Sequence, residues 1–281
     1  MKEFFERENI ELYAYVPLSK CKIIKKYLLD KNGLDTDCGA IMLLLPYRSE
    51  KKPKNLSVYA SVQDYHRYVE NLSARLEEYV KNRYVGAKFK LFADHSPIDE
   101  VHGACISGLG FIGRNGLLIN EKYSSFVFLA EIVTNLTENE LGIPKYEEKK
   151  PRTCINCGKC AGACPSNCMD ESDPRPKTEC LSAITQKKGE LTDKEIEMML
   201  DSGCIWGCDI CQNVCPYTVN AAYTKIPYFK EKIIEELTTE LLDSMTDKEL
   251  ASRPFSWRGR DVIRRNTEAY GKGKIKGKSE K

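Results

Sequence analysis

Ten of the thirteen cysteines fall between positions 154 and 215, in runs whose spacing suits iron. The first run reads Cys154-Ile-Asn-Cys157-Gly-Lys-Cys160-Ala-Gly-Ala-Cys164-Pro165. That is C-x2-C-x2-C-x3-C-P, the bacterial ferredoxin spacing for a [4Fe–4S] cluster. Three closely spaced thiolates bind one cubane, and the fourth reaches a second cluster. A zinc site uses CxxC pairs, without the third cysteine or the proline. The second run, Cys204-Ile-Trp-Gly-Cys208-Asp-Ile-Cys211-Gln-Asn-Val-Cys215-Pro216, has a longer first gap. By the crossover rule Cys215 completes the first cluster with Cys154, Cys157 and Cys160. The second cluster takes Cys164, Cys208 and Cys211 and needs one more thiolate. Spacing leaves Cys180 and Cys204 level, with Cys168 behind them. Clusters that exchange ligands lie close together and pass electrons.

Asp94 follows a strand predicted over 87–92, where a rigid element points a side chain into a cleft. An aspartate three residues before Pro97 is also a good helix cap. Gly108, Gly110 and Gly113 spell G-x-G-x-x-G. A dinucleotide loop of that form runs from a strand into a helix. This one follows a helix and leads to a strand, which argues against a dinucleotide site. His66, His95 and His102 are the only histidines. His66, on a helix among aromatic residues, reads as packing or surface.

The elements that position these residues alternate through the first half. Residues 11–16 read as a strand. Ser19 caps an expected helix carrying Ile23, Ile24, Tyr27 and Leu28, stopped at Gly33. Ile41–Leu45 reads as a fully buried strand. Asp64–Tyr84 carries Tyr65, Tyr68, Val69, Leu72, Leu76, Tyr79 and Val80 at helical spacing. A short helix is expected near Pro97, then a hairpin pairing 117–119 with 125–134. The charged segment 138–153, with Pro144 and Pro151, reads as a linker. Helices are expected at 229–243 and 246–251. The fold class is α/β (α+β), a sheet-and-helix domain followed by a ferredoxin-like module. The predicted division is 1–140, 150–220 and 221–281.

At 281 residues the chain is long enough for a substantial core. Its 42% apolar and 30% charged residues exclude disorder. The odd cysteine count, the chain length and an acidic N-terminus, where a signal peptide needs an apolar core, argue against a disulfide scaffold and for the cytoplasm. The apolar run Ile41–Leu45 is far short of a membrane span. Net charge is +2, yet Arg253–Lys281 holds ten basic and three acidic residues. Such segregation suits a phosphate backbone, or a solvated end over 271–281.

Several stretches together resemble the epoxyqueuosine reductase family. They are Asp94-His-Ser-Pro97-Ile-Asp-Glu100, Gly108-Leu-Gly110-Phe-Ile-Gly113-Arg114-Asn115, Ser125-Phe-Val-Phe-Leu-Ala-Glu131 and both cysteine runs. Tyr59-Ala60, Asp64-Tyr65-His66 and Lys177-Thr-Glu-Cys180 extend the likeness. It implies a cobalamin-dependent oxidoreductase with two [4Fe–4S] clusters, converting epoxyqueuosine to queuosine at the wobble position of tRNA. It selects Cys180 as the remaining ligand and leaves Cys204 a plain buried thiol. It makes Asp94 the proton donor, an acid whose pKa burial would raise. Tyr59, Gly108, Gly110, Phe111, Gly113, Asn115 and Ser125 are implied to meet the cobalamin. Ser124 stands where the family has glycine. Longer members continue into helical repeats, which this chain is expected to lack. Implied partners are tRNA and an external electron donor such as a flavodoxin or ferredoxin. The alternatives are a related corrinoid iron–sulfur reductase of another small substrate and a dicluster electron carrier.

Overall fold

The computed structural model describes residues 1–148, 152–169 and 179–279. Pro151, Lys177, Glu280 and Lys281 lie outside the described residues, as do the side chains of Lys274, Lys276 and Lys278. The chain opens with α1 (Lys2–Arg7), β1 (Leu12–Pro17), α2 (Tyr27–Lys31) and β2 (Gly39–Pro46). Every residue of β2 is buried. Ile41, Leu43 and Leu45 belong to one core cluster, Ala40, Met42 and Leu44 to another. A strand covered on both faces shows a continuous apolar run, as this one does.

α3 (Val58–Ser61) and α4 (Tyr65–Lys81) follow. Asp64 caps α4 by accepting the His66 N–H at 2.9 Å. α4 buries Tyr68, Val69, Leu72, Leu76, Tyr79 and Val80. Then come β3 (Phe89–Phe92), α5 (Glu100–Ile106), β4 (Phe111–Ile112), β5 (Leu118–Ile119) and β6 (Val127–Thr134). The main sheet has the order β1-β2-β6-β3, and each pairing is antiparallel.

Three local expectations give way to tertiary partners. Ser19 lies in a single 3-10 turn, and the helix spans only Tyr27–Lys31. The Ile24 and Lys25 N–H groups bond the Pro97 carbonyl instead of a helical one. α5 starts at Glu100, capped by Asp99, rather than near Pro97. The expected hairpin does not form: β5 pairs with β4, and β6 lies between β2 and β3. β6 gains two flanking strands and buries Ala130–Thr134, more than a partner as short as β5 could cover.

The second half is mostly short helices. They are α6 (Glu138–Leu141), α7 (Lys159–Gly162), α8 (Leu181–Thr185), α9 (Asp193–Ser202), α10 (Ile210–Asn213), α11 (Thr239–Ser244), α12 (Asp247–Leu250) and α13 (Arg260–Ser279). Leu141 and Ile143, at the start of the expected linker, are buried in the main core. Residues 230–237 are not helical: the Ile234 and Leu237 N–H groups bond Ser61 O and Asn55 Oδ1. Packing joins the segments. Ile226 and Phe229 enter the α4 core, while Leu56, Ala60, Ile205, Trp206, Phe255 and Ile263 form a third cluster. α13 stays helical to Ser279, beyond where the alternating Gly and Lys suggest a solvated end. Among the described residues no helix is long and apolar enough to cross a membrane.

Candidate active site beside a double-cluster module

Cys154, Cys157, Cys160 and Cys215 line one cavity, so α10 and the turn after it bring Cys215 back to the first run. The electrostatic neighbours of the Cys215 thiol are those same three cysteines. Cys208 in turn neighbours Cys180 and Cys164, and Cys211 neighbours Cys208 and Cys180. Burial pushes the Cys208 thiol up to about 11 and Cys211 to about 12. Iron coordination reverses that, because a ligating thiol is deprotonated. The Cys204 Sγ lies 3.3 Å from both the Trp206 and the Gly207 carbonyls, with Cys208 among its electrostatic neighbours. Cys168 is buried, with its Sγ 3.6 Å from that of Cys164. These neighbourhoods accord with the two ligand sets that the spacing and the resemblance imply.

The first half is fastened to this module. The Asp209 carboxylate, between Cys208 and Cys211, accepts the Val58 N–H at the start of α3 at 2.6 Å. Gln212 bonds Asp209 on one side and Ser125 on the other, each at 2.9 Å. Gly207 has φ 76°, and a Cβ there would fall 2.1 Å from Ser57 Oγ. Only glycine permits that approach of α3 to the module. Ser124, in the left-handed region at φ 54°, is held by a 2.9 Å bond to Thr218 Oγ1. A left-handed backbone there explains why glycine suits this position.

The glycine loop serves its own hairpin. A Cβ at Gly110 would lie 2.5 Å from the Ile119 carbonyl oxygen. A Cβ at Gly113 would lie 2.5 Å from Asn115 Oδ1. Phe111 is buried edge-on against Tyr217, 5.0 Å between centroids. Asn115 lines the first cysteine cavity and places its Nδ2 3.9 Å from Cys211 Sγ. Gly110→Val is therefore expected to lower the melting temperature and the iron content together, since the hairpin bears on both cysteine sets. Thermal unfolding and iron analysis check this.

Asp94 lies at a separate mouth. It follows β3 with φ 62°, a left-handed conformation that aspartate tolerates, and its side chain is 73% exposed. Its Oδ2 stands 3.6 Å from His66 Nε2, and His66 Nδ1 is 2.8 Å from Asp64 Oδ1. His66 packs on Tyr65 at 4.1 Å, and Tyr65 stacks on Phe128 at 4.3 Å. An open recess of about 370 Å³ is lined by Tyr65, Asp94, Glu100, Val127, Phe128 and Leu129. The expected raised pKa of Asp94 is not found. The His66 ring holds its carboxyl below the usual value, against burial. Asp64 and then Asp94 push His66 up to about 9, so the ring is an imidazolium at neutral pH. A proton held this way stabilises the fold fully below the ordinary histidine pKa of ~6.5. That stability is expected to be lost as pH rises through about 9, and His66→Ala should remove the slope in chemical-denaturation curves. His95 is occupied by Lys25 Nζ at 3.2 Å and Tyr27 Oη at 3.0 Å.

Residues 153–218 match a family model described as a 4Fe-4S double cluster binding domain. The chain is 30% identical over 242 residues to the epoxyqueuosine reductase of Lactococcus garvieae, covering 81% of this chain and 66% of that protein. It is 30% identical over 231 residues to the Listeria monocytogenes epoxyqueuosine reductase, covering 77% and 57%. The chain belongs to the epoxyqueuosine reductase family. It spans two thirds or less of the length of these two relatives. The fold agrees. A crystal structure of epoxyqueuosine reductase with an epoxyqueuosine-modified tRNA-Tyr stem loop superposes with a TM-score of 0.72, at 23% identity, covering 96% of this chain and 80% of that one. As in this family, two [4Fe–4S] clusters follow a mixed α/β domain. Sequence reasoning missed the partnership of His66 with Asp94, although Asp64-Tyr65-His66 was already part of the resemblance. It also missed Gly207 and the Asp209–Gln212 bridge, whose partners lie far away in the chain.

Proposed function

We propose that the chain is a cobalamin-dependent reductase that converts epoxyqueuosine to queuosine in tRNA. The observation that carries this is a proton-holding pair, His66 and Asp94, on an aromatic shelf in a domain fastened to a double-cluster module. The cluster ligands are Cys154, Cys157, Cys160 and Cys215 for one cubane, and Cys164, Cys180, Cys208 and Cys211 for the other. The shelf of Tyr65, Val127, Phe128 and Leu129 offers a flat apolar surface of the kind a corrin ring needs. A cleft of about 510 Å³ beside the start of α3 is lined by Arg48, Lys51, Lys52 and Lys54, cations suited to a phosphate-bearing nucleotide tail once Lys51 and Lys54 leave Glu235 and Glu236. When bound, cobalamin supplies the low-potential metal that carries electrons from the clusters to the epoxide.

Removing an epoxide oxygen as water takes two electrons and two protons and leaves a carbon–carbon double bond. The clusters deliver the electrons, from an external donor such as a flavodoxin or ferredoxin. His66 holds one proton at Nε2, and Asp94 passes it to the leaving oxygen; the second proton is drawn from solvent water through the open recess. The imidazolium keeps Asp94 ionised until the oxygen develops charge and competes for that proton. Asn115, between the two cysteine sets, orients the Cys211 ligand. Tyr59 Oη accepts from Gln186 Nε2 at 3.2 Å and braces α3 against α8. Arg253–Lys281 carries seven excess positive charges for the tRNA backbone.

The test is anaerobic reconstitution with cobalamin, followed by assay on tRNA carrying epoxyqueuosine. Formation of queuosine supports the proposal. Unchanged cobalamin spectra on titration into cluster-loaded protein would remove it.

A further inference from the structure

Two carboxyls beneath Asp94 have no part in the scheme above. Glu131 lies on β6 opposite Phe92 of β3, with no exposed surface. Glu100 begins α5, the helix packed over the same sheet face. Both oxygens of Glu100 accept the Asp94 N–H, at 3.0 and 3.1 Å. Glu131 Oε1 accepts the Ser96 hydroxyl. Glu131 Oε2 is buried without a hydrogen-bond partner, and Glu100 is the charged group it feels most strongly. An anion on the buried Glu131 is repelled by the partly exposed Glu100 beside it, and one of the two keeps a proton.

We propose that Glu100 and Glu131 share one proton and act as positioning residues, with Glu100 holding the Asp94 turn opposite His66. This rests on Asp94 being the proton donor. The order of bonds fits. Ser96 donates to Glu131 Oε1, which leaves the unpartnered Oε2 to carry the proton, and Glu100 remains the carboxylate that Asp94 N–H needs. An N–H bond to a carboxylate is stronger than one to a neutral acceptor. It offsets the left-handed strain at Asp94. Burial raises both acids. The other ionisable groups around the pair are few. Lys25 and Asp94 face Glu100 from the α2 approach and the β3 turn. Tyr65 on α4 also senses Glu100. The half-buried Cys21 thiol senses Glu131 and is pushed up to about 12, so it is neutral. No cation among these neighbours Glu131, which is why the proton stays on it.

The test uses the full chain with both clusters and reads two spectroscopic signals besides turnover. In the wild type, infrared spectra at pH 7 are expected to show a buried neutral carboxylic acid. Glu131→Gln should abolish that band and leave the His66 titration near 9, since the amide mimics the protonated acid. Glu100→Ala should free the Asp94 turn and lower the His66 pKa by about one unit or more, as the ring loses one of two carboxylates. Glu100→Gln retains an acceptor and should restore most of that shift. With cobalamin and modified tRNA, Glu100→Ala is expected to lower kcat about tenfold or more with little change in KM. Absence of the neutral-acid band in the wild type overturns the shared proton, whether or not any variant folds. An unchanged His66 titration in Glu100→Ala that keeps its iron overturns the positioning role. A wild type that never forms queuosine would sink the reductase proposal instead, and the two spectroscopic readings would still decide this one.

Discussion

Asp94→Asn is expected to lower epoxyqueuosine turnover by about 10²-fold or more while leaving the fold and both clusters intact. The backbone argument makes asparagine the informative replacement. Asp94 sits at φ 62°, and asparagine is the other residue that tolerates this region. Its N–H still reaches Glu100, so the turn persists. What is lost is an oxygen that can take a proton from His66 and give it away. The His66 pKa should fall from about 9, because one of its carboxylates is gone, yet stay above ~6.5 through Asp64. Alanine would confound the result by adding strain at the turn. If Asp94→Asn keeps wild-type turnover while His66→Asn abolishes it, the proton passes from the ring directly, and Asp94 only orients it.

Cys180→Ala should remove one cubane, reducing iron from about eight to about four per chain after anaerobic purification. Cys204→Ala should leave the iron unchanged. Spacing alone leaves these two thiols level, and the resemblance implies Cys180. Cys204 directs its sulfur at two backbone carbonyls, though Cys208 is also its neighbour, while Cys180 neighbours Cys168, Cys208 and Cys211. Cys168 complicates the experiment, because its sulfur is 3.6 Å from that of Cys164. If Cys180→Ala keeps all its iron, the double variant with Cys168→Ala decides whether Cys168 has taken over. Full iron in that double variant, together with half the iron in Cys204→Ala, would reverse the assignment.

The iron–sulfur module was legible because its chemistry is local. C-x2-C-x2-C-x3-C-P places ligands within a few residues of one another, and no distant contact is needed to recognise it. β2 and α4 were legible for a similar reason. A strand buried on both faces shows as Ile41–Leu45, and a half-buried helix shows as the repeat from Tyr65 to Val80. The α2 region misled because Ile24 and Lys25 find their hydrogen-bond acceptor at Pro97, on another element. The 117–134 segment misled because β6 takes two long-range partners over one nearby. The glycines at 110 and 113 were readable as close-approach residues, but what approaches them is Ile119 and Asn115 of their own hairpin.

The sequence by itself determined the cofactor chemistry of the second half and the mixed α/β character of the first, while Asp94 was singled out by the resemblance. Tertiary structure decided how that aspartate behaves. His66 precedes Asp94 by almost thirty positions, and Glu131 follows Glu100 by about as many. No periodicity links either pair, because each pair meets across a helix and a strand whose relative placement is set by the antiparallel order β1-β2-β6-β3. A carboxyl beside an imidazolium is driven below its ordinary pKa, and one buried beside another carboxyl is driven above it. The ionisable group is a carboxyl in both cases; the neighbours brought by the fold set the opposite directions.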